Sequence, residues 1–89
     1  MIVRTVRVSN RLGLHARAAS KLVQLAQEFD ADINILNGAQ PANGKSIMSL
    51  MMLQATQGTE LQLEAQGTDE VVAVESIVAL FEGKFGEED

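Results

Sequence analysis

Apolar positions recur along this chain with two different periods. Ile2, Val6 and Val8 fall on one side of an extended segment, and Val3, Thr5 and Arg7 fall on the other, the alternation of a half-buried strand; Arg4 breaks the inward set and predicts a frayed start. After a turn over residues 10–13, Ala19, Leu22, Val23 and Ala26 follow the i, i+3, i+4, i+7 spacing, which predicts an amphipathic helix over about residues 16–28. Ile33 and Ile35 alternate with Asp32 and Asn34, giving a second strand that Asn37-Gly38 ends. Pro41 has no N–H to donate, so the residues around it form an edge strand or a loop.

Ser46 stands directly before the run Ile47-Met48-Ser49-Leu50-Met51-Met52-Leu53 and predicts a short, serine-capped second helix. Gln57-Gly58 turns the chain into Leu61, Leu63 and Ala65, which alternate with Gln62, Glu64 and Gln66 as a one-sided strand. Gly67-Thr68-Asp69-Glu70 then supplies a turn, a cap and two acids suited to the positive end of a helix. The third helix carries Val71, Val74, Ile77, Val78 and Phe81 on one stripe and stops near Gly83. The order β-α-β-β-α-β-α, with one apolar face per strand and one stripe per helix, predicts a two-layer α+β sandwich. All helices lie on one face of an open antiparallel sheet, and a later strand splits the β-α-β unit.

Composition narrows the function. With 89 residues the chain is read as one domain over residues 1–89, large enough for a modest core and too small for a deep catalytic cleft. Residues 84–89, rich in acid, are read as a mobile tail. The absence of cysteine excludes disulfides, thiolate metal sites and a cysteine nucleophile, and a single histidine leaves little from which to build a zinc site. A net charge of −5 and only three aromatic residues, all phenylalanine, argue against nucleic acid as a partner. No apolar run approaches the roughly 20 residues of a membrane span. The start of the chain lacks the basic-then-apolar pattern of a signal peptide, so a cytoplasmic location without membrane insertion is expected.

Chemistry concentrates where an extended segment turns through a glycine into the first helix. His15 sits at that helix start with Arg17 two residues on, and unpaired N–H groups, a guanidinium and an imidazole there would make a small anion site; a capping or packing histidine beside a surface arginine is the simpler alternative. No nucleophile stands near enough for a triad, and Ser20 lies one turn too far along the helix. The imidazole can itself be the nucleophile, with Arg17 and the N–H groups of Ala16 and Arg17 receiving the charge of a phosphoryl group. Gly44-Lys45-Ser46 invites a phosphate-loop reading, but the position five before Gly44 is Ala39 rather than glycine and the spacing fails. Ser46 is thus a helix cap, a phosphorylation site, or both. Leu50 and Leu53 suffice for the core side of the second helix, which leaves Met48, Met51 and Met52 partly for core edges and partly for an exposed partner surface.

The motif Asn10-x-Leu12-Gly13-Leu14-His15-Ala16-Arg17-x-Ala19 resembles the active-site motif of the HPr family, the histidine phosphocarriers of the bacterial phosphoenolpyruvate-dependent phosphotransferase system. The resemblance extends over the whole chain, through Lys45-Ser46-Ile47-Met48 and Gln57-Gly58-Thr59, and the ending Ala79-Leu80-Phe81, Gly83-x-Phe85 is similar to nitrogen-type carriers. It implies an HPr-like open-faced sandwich with a four-stranded antiparallel sheet and three helices on one face. It implies a monomeric carrier, not an enzyme and without a cofactor or metal, that takes a phosphoryl group on Nδ1 of His15 from Enzyme I and passes it to a histidine of an Enzyme IIA protein. Arg17 matches the family's phosphate-assisting arginine, and Ser46 the serine modified by an HPr kinase/phosphorylase. Leu12, Leu14, Ile47, Met48 and Met51 match the apolar surface on which partners dock. The resemblance also allows a regulatory module of the nitrogen-type branch whose phosphorylation state gates binding to non-transport partners. Two positions depart from the family pattern: Ala18 replaces the usual proline after the arginine, which predicts a looser first turn, and Ser49 replaces a common glycine near the regulatory serine, which bears on kinase recognition.

Overall fold

In a computed structural model, which describes residues 1–88, the strands are β1 (Ile2–Arg7), β2 (Asp32–Asn37), β3 (Gln40–Asn43) and β4 (Glu60–Gln66), and the helices are α1 (Ala16–Ala26), α2 (Ile47–Met51) and α3 (Glu70–Glu82). A tight left-handed turn, Lys84–Gly86, follows α3. The sheet order is β1-β4-β2-β3, and every pairing is antiparallel. β1 and β2, joined through α1, therefore run the same way with β4 between them, which is the split arrangement the element order predicts.

Alternation decides which face of the sheet is covered. Leu61, Leu63 and Ala65 of β4 and Ile33 and Ile35 of β2 are buried, whereas Glu60, Gln62, Asp32 and Asn34 are exposed. The buried set forms one core with Ala18, Ala19, Leu22, Val23 and Ala26 of α1, Leu50 of α2 and Ala73, Val74, Ile77 and Phe81 of α3. Ile2 pairs with Ala65 at the start of β1, so the strand is ordered from its first residue and Arg4 does not fray it. Pro41 lies in β3, at the sheet edge that its missing N–H requires.

Three expectations need correction. α1 stops at Ala26, because the N–H groups of Glu28 and Phe29 bond to the carbonyls three residues back and tighten the last turn. The buried stripe of α3 contains Ala73 and not Val71, which is 58% exposed. Asp69 precedes α3 but its side chain does not cap it: Oδ2 and Oδ1 accept the N–H groups of Asp30 and Ala31, at 2.8 and 2.9 Å, and so tie the end of the α1–β2 loop to the start of α3.

The acidic end is also held against the domain as far as Glu87. Phe85 is fully buried and meets Phe81 edge to face, and the Lys21 ammonium donates to the Phe85 carbonyl at 2.7 Å. Lys84, Phe85 and Gly86 all have positive φ, of 55°, 55° and 79°, which folds the chain back over the start of α1. Asp89 lies outside the described residues.

Candidate functional site

A sharp turn aims the chain at α1. Gly13 has φ of +72°, and a Cβ there would come within 2.5 Å of the Ala55 carbonyl oxygen, so only glycine lets the loop lie this close to residue 55. The Leu14 N–H then donates to that carbonyl at 2.9 Å. His15 follows as the N-cap residue, extended at φ −78° and ψ 179°, and its carbonyl accepts the first helical bond from the Ala19 N–H at 2.8 Å. Its side chain makes no capping bond. The imidazole is thereby left for other contacts, and the N–H groups of Ala16, Arg17 and Ala18 open the helix without intrahelical acceptors.

The half-buried ring meets the far end of the chain. Nε2 lies 2.5 Å from Oε2 of Glu87. Oε1 of the same carboxylate accepts from Nδ2 of Asn10 at 3.0 Å, and that fully buried amide also donates to the Gly13 carbonyl at 2.7 Å. The bond from His15, and after it the bond from Asn10, holds the Glu87 carboxyl below the ordinary carboxylate range. An ionised carboxylate only accepts, so Nε2 bears a proton in this contact, and in the neutral ring the lone pair is then on Nδ1. Nδ1 has no hydrogen-bond partner among the described residues.

Arg17 is exposed, and its guanidinium makes no hydrogen bond or ion pair among the described residues. With His15, Arg11, Leu12, Ala16, Glu87 and Glu88 it lines an open depression of about 510 Å³, a shallow bowl and not the deep cleft of a small-molecule enzyme. Of the residues singled out from sequence, His15, Arg17 and Leu12 come together here.

Ser46 is the N-cap of α2, where its Oγ accepts the Ser49 N–H at 3.3 Å. The neighbouring Lys45 donates its ammonium to the Phe29 carbonyl at 2.8 Å, so it is spent on the end of the α1 segment and not presented to a phosphate. Ile47, Met48, Met51, Met52 and Gln54 line an open groove of about 480 Å³, and Met48 is 76% exposed. Leu14 does not belong with them. It is 5% exposed and sits in the core, because the turn at Gly13 and the bond to Ala55 direct its side chain inward. Met52, at 64% exposure, lines this groove where the sequence predicts Leu14.

Asn10 opens the sequence motif, but its bond to Glu87, and Glu87 itself, are not announced by the sequence. The signal for Glu87 is indirect: a lone phenylalanine between Gly83 and Gly86 anchors a segment that charge alone describes as solvated. Among the described residues, no group of three or more His, Asp or Glu side chains is arranged to hold a metal, and no helix is long and apolar enough to cross a membrane.

Residues 2–83 match the family model of the phosphotransferase-system HPr component phosphorylation site. The phosphocarrier protein HPr of Treponema pallidum is 48% identical over 88 residues, covering 99% of this chain and all of that protein. The phosphocarrier protein NPr of Shewanella violacea is 45% identical over 84 residues, 94% of this chain and 92% of its own length. In the solved structures, HPr from Thermoanaerobacter tengcongensis superposes with a TM-score of 0.96 at 42% identity, with 100% of both chains covered. The chain belongs to the HPr family: it is a phosphocarrier, a relay in phosphoryl transfer and not an enzyme.

Proposed function

We propose that the chain carries its phosphoryl group on Nδ1 of His15, receiving it from the phosphoenolpyruvate-dependent Enzyme I and handing it to a histidine of an Enzyme IIA protein. The observation that supports this most is the committed Nε2 beside an unpartnered Nδ1, which leaves one nucleophilic lone pair on the ring. The N–H groups at the start of α1 and the uncommitted Arg17 guanidinium receive the phosphoryl oxygens. A shallow, open bowl suits a monomeric carrier whose substrates are the active sites of other proteins. Leu12 beside His15, with Ile47, Met48 and Met51, forms the apolar surface on which these partners dock. Ser46, half-buried at the start of α2, is the site of an HPr kinase/phosphorylase, and a phosphate there changes the charge next to the methionine groove. Work in the cytoplasm follows from this role. Incubation with phosphoenolpyruvate and Enzyme I tests the reading: the wild type takes up an acid-labile phosphate, and His15→Ala takes up none.

The exposed groove of Ile47, Met48, Met51 and Met52 favours a second reading, in which the phosphorylation state of the chain gates a regulatory partner of the nitrogen-type branch. A pull-down with phosphorylated and unmodified protein separates the two. A carrier releases both forms readily, whereas a regulator holds a partner in one form only.

A further inference from the structure

The matched family region ends at residue 83, yet the carboxylate that touches the His15 ring belongs to residue 87. Its placement is over-determined. The buried Phe85 ring anchors the segment against Phe81, Lys21 clamps the Phe85 carbonyl, and two consecutive non-glycine residues, Lys84 and Phe85, are held at positive φ. Asn10, fully buried, then fixes Oε1 of Glu87 at 3.0 Å while Oε2 faces Nε2 of His15. Backbone strain and a buried amide spent on aiming one surface carboxylate at the single histidine mark a built contact.

We propose that Glu87 is a positioning residue for phosphoryl transfer: its carboxylate accepts the Nε2–H of His15, fixes the ring with its Nδ1 lone pair outward, and faces the positive charge that the ring gains when Nδ1 is phosphorylated. This rests on His15 as the phosphoryl acceptor. The step balances without moving a proton. The Nδ1 lone pair forms the N–P bond, the bond from phosphorus to the donor atom breaks, and its electron pair stays with the donor. The ring, now bonded at Nδ1 and still protonated at Nε2, is a cation opposite Glu87. On transfer to the next acceptor the N–P pair returns to Nδ1, and the neutral Nε2–H tautomer is restored. The other charged groups near the pair are Arg11 and Arg17 in the bowl, Glu88 beside Glu87, and Lys21 of α1. The hydrogen-bond partner of the ring among the described residues is Glu87.

The test compares wild type, Glu87→Ala, Glu87→Gln and His15→Ala. Long-range proton–nitrogen spectra of the His15 ring are taken near pH 8.5, about two units above the reference imidazole value. Single-turnover phosphorylation by phosphorylated Enzyme I is measured alongside. The wild type shows the Nε2–H tautomer with an observable ring N–H proton. In Glu87→Ala that proton is lost to exchange, the tautomers mix, and transfer slows by about tenfold, the size of one lost hydrogen bond to a charged group. Glu87→Gln keeps an acceptor without the charge, so the tautomer persists and the rate falls by less. Transfer to Glu87→Ala at the wild-type rate, or slow transfer with unchanged ring nitrogen signals in both variants, overturns the proposal. Phosphate on His15→Ala overturns instead the assignment of the acceptor, whatever Glu87 does.

Discussion

The rings of Phe81 and Phe85 meet edge to face with centroids 4.9 Å apart and planes at 63°, although Gly83 ends α3 between them. This contact joins the last helix to the segment that carries Glu87. Phe85→Ala empties a fully buried position and is expected to cost about 3 kcal/mol, the lower end for phenylalanine because a terminal segment relaxes around the gap. Urea unfolding measures the loss, and the ring N–H proton of His15 disappears with it although no site residue has changed. A stability within a few tenths of wild type would show that the terminal segment does not fold onto α3.

Arg17 is exposed and without a partner among the described residues, so its removal should touch function and leave the fold alone. Arg17→Ala is expected to slow phosphoryl transfer by at least tenfold, through loss of a charge-assisted contact to the phosphoryl oxygens. Its melting temperature stays at the wild-type value, as for other surface changes. A large fall in melting temperature would assign the arginine a structural role.

Much of this architecture was readable from side-chain periods. The alternations Ile33/Ile35 and Leu61/Leu63/Ala65, and the stripe Ala19, Leu22, Val23 and Ala26, each have polar residues on the opposite side, which fixes their phase. The start of α3 lacks that contrast: Val71, Val72, Ala73 and Val74 are apolar all round, so sequence cannot say that Ala73 faces in while Val71 faces out. His15 and Arg17 are close in sequence, and a helix start was enough to bring them together. Leu14 lies in a loop where no period applies, and its inward direction follows from the positive φ of Gly13 and a bond to Ala55, a contact far along the chain. Glu87 reaches His15 across 72 residues, through three consecutive positive φ values that no composition rule reports.

Asp69 gives a pH dependence with a definite sign. The N–H of Asp30 is the largest influence holding its carboxyl below the ordinary value of 3.8, with the Ala31 N–H adding to it against partial burial. A depressed folded value contributes stability that is complete above 3.8 and is lost as the pH falls through the lower, folded value. Asp69→Asn should therefore be less stable than wild type at pH 7, and the gap should close in acid. Denaturant unfolding from neutral pH into strong acid checks this, and a gap that is constant with pH would mean that the charge of Asp69 is not what ties the α1–β2 loop.

Ser46 caps α2, and one substitution tests both that cap and the kinase site proposed at the same residue. Ser46→Ala removes the cap of α2 and is expected to cost about 1 kcal/mol by chemical denaturation. With an HPr kinase and ATP, the wild type gains an acid-stable phosphate that the variant does not. Equal labelling of both proteins would place the modification elsewhere.

The most direct measurement is phosphorus–nitrogen correlation by NMR on chain phosphorylated with phosphoenolpyruvate and Enzyme I. The expected result is a single phosphoramidate on Nδ1 of His15, with Nε2 still protonated, that is lost in acid and passes on when an Enzyme IIA protein is added. A phosphate on Nε2, an acid-stable phosphate, or one that persists in His15→Ala would contradict it.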